Sequence, residues 1–413
     1  MRKGRGMDLL LTNARVASGD GGLVDVAIDA GRIAAIAPDS GISADTIDLG
    51  GRLISPGFIE THIHLDKACI LDRCSAKRGD LEEAIGEVSA AKKGFTPEDV
   101  AARARNVIEK AISHGTTHMR THLEVDPVIG LRGLNGIFPL IEEYRWAIDI
   151  EVCVFPQEGL LNNPGTDELM VEGLKMGARA VGAAPYTDSD PHGQIDRVFE
   201  MAREFDVPID MHLDFGDTAD ELDVDYVCRL TDQFGWGGRV TVGHVTKLSA
   251  ATPDHMAAVG KRMADAGVAL TVLPSTDLFL MGRDDERNVR RGVTPAHRLL
   301  PLGVNCSLST NNVLNPFTPF GDCSLLRMAN LYANICHVGA AAQVRDCFDM
   351  VTSRSARILG LEQHAVEVGA AADLVVIDAK NTEAAVAELA VPLYGFKNGR
   401  MTFRREPVEL MRP

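Results

Sequence analysis

The chain has 413 residues, 45% of them apolar and 24% charged, with a formal net charge of −16. Its length suits one large barrel plus a minor domain, and no low-complexity tract suggests disorder. The acidic balance argues against nucleic acid or an anionic membrane as main partner, and no run approaches the roughly 18–20 apolar residues of a membrane span. The total charge says little about a small-molecule substrate, for which the local field at a site matters more, and a homo-oligomer is left open.

The opening "MRKGRG" is basic, but no apolar h-region follows it, so it does not read as a secretory signal. From Asp8, "DLLLTNARVASGDGGLVDVAIDAGRIAAIAP" alternates short apolar runs with turn signals at Asn13, Gly19–Gly22 and Ala30–Gly31. That predicts a meander of short strands. The C-terminus has the same texture: "VGAAADLVVIDA" and "LYGFKNGRMTFRR" read as strand pairs, the second turning at Asn398–Gly399.

Between the ends, helical stretches such as "TPEDVAARARNVIEKAISHG" and "QIDRVFEMAREFD" alternate with brief apolar strands. Eight are read in chain order: "GFIETHIHL", "THMRTHLEV", "IEVCVFPQ", "AVGAAPY", "PIDMHLDF", "RVTVGHV", "VALTVLP" and "GVNCSLST". Such alternation predicts a (β/α)8 barrel, placed here at residues 58–363. Residues 7–57 and 364–413 are expected to form one small β-sandwich domain.

Several barrel strands end in polar residues: His62 and His64, His122, Gln157, His212, His244 and Asn311. In this fold the active site lies at the carboxyl ends of the strands. His62 and His64 are two apart, so in a strand they share a face and can hold one ion between their rings. Two core histidines satisfied by packing are the other reading of that pair alone. Adding His212 and His244 at two further strand ends favours a divalent metal ion, which would make a bound water nucleophilic near neutral pH.

The HxH pair, the single histidines after the fifth and sixth strands, and the terminal β-domain resemble the amidohydrolase superfamily. "VFPQEGLL", "GLKMGARAVGAAP", "PIDMHLDFGDTADE", "RVTVGHVTKL" and "NNVLNPFTPFG" resemble its cytosine deaminase group nearly end to end. The resemblance implies a metal-dependent hydrolase of carbon–nitrogen bonds in nitrogen-rich cyclic substrates. It implies His62, His64 and His212 as ligands of one metal, zinc or iron, since no lysine ends the fourth strand to bridge a second. His244 would contact the reacting centre, and Gln157 would hold the substrate ring.

Two positions depart from the group. The strand-eight aspartate, a metal ligand and general base, is Asn311 here, and the proton-shuttling glutamate three residues after His212 is Phe215. Asparagine can ligate through its carbonyl oxygen but cannot take a proton. Asp214, two residues after His212, is the expected substitute base; Asp217 is a weaker one. Phe215, Lys67 and Asn312 are expected to bind substrate or, for Lys67, to orient Asp214. His122 and Glu124 are expected to support the site from behind, and Asp188, Asp190 and His192 to serve turn chemistry. A cyclic amide hydrolase using Asp214, or an N-substituted aminohydrolase, are the alternatives within the class. A catalytically silent ligand-binding homologue is the alternative outside it. The eight cysteines include no CxxC pair and read as reduced thiols of a cytoplasmic protein.

Overall fold

The computed structural model describes residues 7–19, 21–406 and 408–411, so the basic opening hexapeptide lies outside the described residues. The chain makes two sheets, and among the described residues no helix is long and apolar enough to cross a membrane.

The first sheet comes from both ends of the chain. It contains β1 (Leu9–Val16), β2 (Leu23–Asp29), β3 (Arg32–Ala37), β4 (Asp45–Asp48) and β5 (Leu53–Pro56). Joining them from the C-terminal side are β14 (Leu374–Ile377), β15 (Pro392–Lys397) and β16 (Arg400–Arg404). The strand order is β16-β15-β14-β5-β1-β2-β3, with β4 also paired to β1. Leu11, Ala14, Val26, Ile28, Ile54 and Val376 bury one apolar face as a core of its own. This is the β-domain expected of the two termini, and its strands are continuous through hydrogen bonds.

The second sheet is the barrel. Its parallel strands are β6 (Phe58–Ile63), β7 (Thr116–Glu124), β8 (Asp149–Phe155), β9 (Ala180–Val181), β10 (Ile209–Leu213), β11 (Val240–His244), β12 (Val268–Val272) and β13 (Cys306–Leu308). Neighbours pair in chain order from β6 to β13. The seam closes just beyond β13, where Ile63 and Asn311 form a parallel bridge. There the Asn311 N–H donates to His62 O and the His64 N–H donates to Asn311 O, each at 2.9 Å. All eight strands read from the sequence are present.

The crossover helices follow from local chemistry. In the helix Pro97–Ser113, the Thr96 hydroxyl accepts from the Asp99 N–H and Pro97 sits in the first turn, both start signals. Val100, Ala104, Val107, Ile108 and Ala111 then recur at helical spacing and are buried against the barrel. Gly57 marks the passage from terminal sheet to barrel: a Cβ there would lie 2.3 Å from the Thr117 side chain. Only glycine fits.

Candidate active site

Three barrel strands end on residues with left-handed backbone. Asp214 after β10 has φ 47°, His244 and Val245 at the end of β11 have 70° and 48°, and Asn311 has 64°. Such values are rare outside glycine and costly for a β-branched valine, so the surroundings must enforce them. At β11 the Thr294 hydroxyl does so, reaching His244 O at 2.9 Å and Val245 O at 2.7 Å.

The four predicted histidines meet there. Nε2 of His212 lies 3.0 Å from Nε2 of His62 and 3.1 Å from Nε2 of His64. Nitrogens bound to one cation at about 2.0–2.1 Å and right to tetrahedral angles stand roughly 2.9–3.4 Å apart, so the spacing fits a shared metal ion. Ligating atoms of His62, His212 and His244 also fall within 4.8 Å of one another. Burial holds His62, His64 and His212 well below the ordinary histidine range, so each is a neutral ligand type. Nδ1 of His64 faces His122 O at 3.1 Å, which sets its proton there and leaves Nε2 as a lone pair. The His122 ring stacks on His62 at 3.8 Å between centroids. Asp210 Oδ1 stands 3.4 Å from His122 Nε2 and 3.8 Å from His62 Nδ1, while Asp210 Oδ2 accepts from Arg120 at 2.8 Å. Although burial opposes ionisation, His122 and Arg120 keep Asp210 far below the usual carboxylate range. The His62 backbone N–H donates to Glu60 Oε1 at 3.3 Å, and burial pushes that carboxyl up to about 7 against hydrogen bonds from Thr310.

Beside the histidines lies a narrow cavity of about 10 Å³, the room of roughly one water molecule. His64, His212, His244, Gln157, Asn311 and Asn312 line it with Lys67 and Phe215. Among them three buried polar atoms have no hydrogen-bond partner: His212 Nδ1, Asn311 Oδ1 and Gln157 Nε2. Such atoms are costly unless something binds there. The Phe215 ring packs edge-on to His244, with centroids 5.3 Å apart. Asn312 Oδ1 accepts from Asn315 Nδ2 at 2.7 Å, tying the loop after β13 to the cavity wall.

Lys67 is buried, and it pairs with Glu124 Oε1 at 2.6 Å and Gln157 Oε1 at 3.1 Å rather than with Asp214. Its ammonium also lies 4.4 Å from the Phe317 ring centroid. Lys92 closes the same network through Glu124, Asp126 and Glu158. Burial opposes it, but Lys67 and Lys92 together hold Glu124 below its ordinary range.

Asp214 is not where strand alternation put it. β10 stops at Leu213, and the left-handed turn at Asp214 swings the carboxylate outward and brings Phe215 to the cavity instead. Its two oxygens accept from the Asp223 and Val224 N–H groups, each at 2.9 Å, at the start of the helix Asp223–Phe234. Burial pushes its pKa up to about 6 in spite of those bonds. Asp217 is equally remote, 3.6 Å from the Arg290 guanidinium. Asp188 and Asp190 hold turn and cap amides, as expected.

One carboxylate at the site was not anticipated. Asp277 Oδ1 lies 2.5 Å from His244 Nδ1, with the side chain fully buried. Burial lifts its carboxyl above the ordinary range, partly offset by His244. In sequence it is a lone aspartate in "STDLF" and carries no spacing signal. Asp210 had one: it stands two residues before His212 inside a buried strand.

A model of the amidohydrolase family matches residues 45–137 and 96–403. The chain belongs to the amidohydrolase family. Among its relatives, this amidohydrolase is 29% identical over 413 residues to N-isopropylammelide isopropyl amidohydrolase of Pseudomonas sp. (strain ADP), covering 97% of this chain and 98% of that one. It is 27% identical over 371 residues to pterin deaminase of Rhizobium rhizogenes, covering 86% and 82%. The structure of 5-methylcytosine deaminase from Klebsiella pneumoniae liganded with 5-fluorocytosine superposes with a TM-score of 0.93 at 29% identity, over 98% of this chain and 99% of that one. The resemblance to the cytosine deaminase group thus runs through nearly the whole amidohydrolase.

Proposed function

We propose that this amidohydrolase hydrolyses a carbon–nitrogen bond in a nitrogen-rich cyclic amide or amidine, with one divalent cation, zinc or iron, held by His62, His64 and His212. The observation that carries the reading is the 3.0–3.1 Å distance of His212 Nε2 from Nε2 of His62 and of His64, beside a cavity that His64 and His212 line. A divalent cation there supplies Lewis acidity and a water made nucleophilic near neutral pH.

The chain's own residues do the rest. Gln157 lines the cavity, where its amide N–H suits a ring carbonyl or ring nitrogen. Lys67 fixes that amide by donating to its Oε1, and Asn312 forms the adjoining wall. Phe215 offers an apolar surface to the ring face and His244 stands at the reacting centre. Asn311 can offer a carbonyl oxygen to the ligand set but no base. N-isopropylammelide, pterin and 5-methylcytosine, the rings in the relatives' names, share the required kind of bond. Cytosine itself fits less well, because Phe215 and Asn311 stand where that chemistry needs carboxylates.

Those two residues also favour a second reading, a barrel that binds such a ring without turning it over. The two separate in one experiment. Protein supplied with zinc or iron is assayed for bound metal and for ammonia or amine release from aminopyrimidines, pterins, hydroxytriazines and lactams. Turnover of any one of them supports hydrolysis; bound metal and ring with no turnover supports the silent homologue.

A further inference from the structure

Hydrolysis of such a bond needs a group to take a proton from the attacking water, and the usual positions do not provide one. Asn311 is neutral, Phe215 is a hydrocarbon, and Asp214 is committed to the amides of the helix Asp223–Phe234. We infer that His244, backed by Asp277, is the general base, with Asp277 the positioning carboxylate that replaces the one missing after strand eight. This rests on the hydrolase reading above.

The geometry is specific. With Asp277 Oδ1 at 2.5 Å, the His244 proton sits on Nδ1, and Nε2 is left as a bare acceptor. The carboxylate also stabilises the ring once it becomes an imidazolium. Asp277 is held in turn. It lies on the short helix Pro274–Leu280, its Oδ2 accepts from the Leu273 N–H at 3.3 Å, and the neighbouring Thr276 hydroxyl meets that of Thr318 at 2.6 Å. His244 is fixed from the other side by the Thr294 hydroxyl, despite a left-handed φ. The titratable groups facing its ring are Asp277, His212 at 5.5 Å and His62 at 6.0 Å between centroids.

The proton balance closes within the site. As the water oxygen bonds to the ring carbon, Nε2 takes one water proton. As the carbon–nitrogen bond breaks, Nε2 returns that proton to the departing nitrogen, which leaves as ammonia or amine. The ring keeps the oxygen, and His244 ends neutral.

The test uses zinc-loaded protein labelled with ¹⁵N-histidine. Long-range ¹H–¹⁵N correlation is expected to show His244 protonated at Nδ1 and bare at Nε2, and Asp277→Ala to abolish that preference. On any substrate found, Asp277→Asn and Asp277→Ala should lower kcat by about 10²–10⁴-fold with metal content retained. Adding Asn311→Asp to Asp277→Ala should restore at least about tenfold of the loss, which a merely structural role would not allow. An Nε2–H tautomer in the parent protein, or an unchanged kcat in Asp277→Ala, overturns the inference. The tautomer is read with or without a substrate, so a barren substrate panel sinks the hydrolase reading alone.

Discussion

Asn311 and Asp214 show how far a residue's identity is from its role. Asn311 keeps its predicted place at the cavity, yet its backbone also closes the barrel through His62 and His64. It therefore couples the seam of the fold to the metal site whatever its side chain does. Asp214 is the opposite case: a carboxylate beside a histidine strand that serves a helix terminus. Replacing Asp214 with Ala strands two amide groups, which costs about 1–3 kcal/mol for a buried unsatisfied donor. Urea unfolding should show that loss while bound metal stays at the parent level. Loss of metal with unchanged stability would instead return Asp214 to the site.

At the scale of elements, the strand ends decide the chemistry. Brief apolar runs between helical stretches marked all eight barrel strands, and period-two alternation put His62 and His64 on one face, because such patterning is a property of several residues at once. Alternation failed at Asp214 because it ends where the strand does, and the left-handed turn at Asp214 reverses which side chain faces inward. Asp277 was illegible for another reason: its partner His244 is 33 residues away and only the fold brings them together. The Thr294 clamp belongs to the same class. Thr294→Val keeps the shape and removes the hydroxyl that reaches His244 O and Val245 O. It should destabilise the protein by about 1–3 kcal/mol and lower kcat, because the left-handed turn is then under-determined. Thermal unfolding and kinetics check this; unchanged values would mean that the turn holds itself.

Taken whole, the molecule is a barrel seated on a sheet built from both chain ends, and the seat is polar. Lys397 of β15 reaches Asp149 at 2.6 Å, Asp373 at 2.7 Å and Thr117 O at 3.3 Å. His364 donates from Nε2 to Gly57 O at 2.7 Å, at the hinge between the sheets. Burial, with a smaller effect of His118, lowers the His364 pKa from 6.5 to about 4. The folded form therefore favours neutral His364, while the unfolded chain binds a proton below about 6.5. This stabilisation is full above pH 6.5 and is lost as the pH falls towards about 4. His364→Gln keeps an N–H donor but does not titrate, so its urea midpoint should fall less than the parent's between neutral and mildly acidic pH. Parallel decline of both would remove His364 from the account.

The central claim is that His62, His64 and His212 hold one catalytic cation. Elemental analysis of dialysed protein, previously supplied with zinc and iron, tests it most directly. The account predicts about one equivalent of either metal per chain, falling to trace in His212→Ala that still folds by circular dichroism. No more than trace metal in the parent protein, or an undiminished content in His212→Ala, would contradict it.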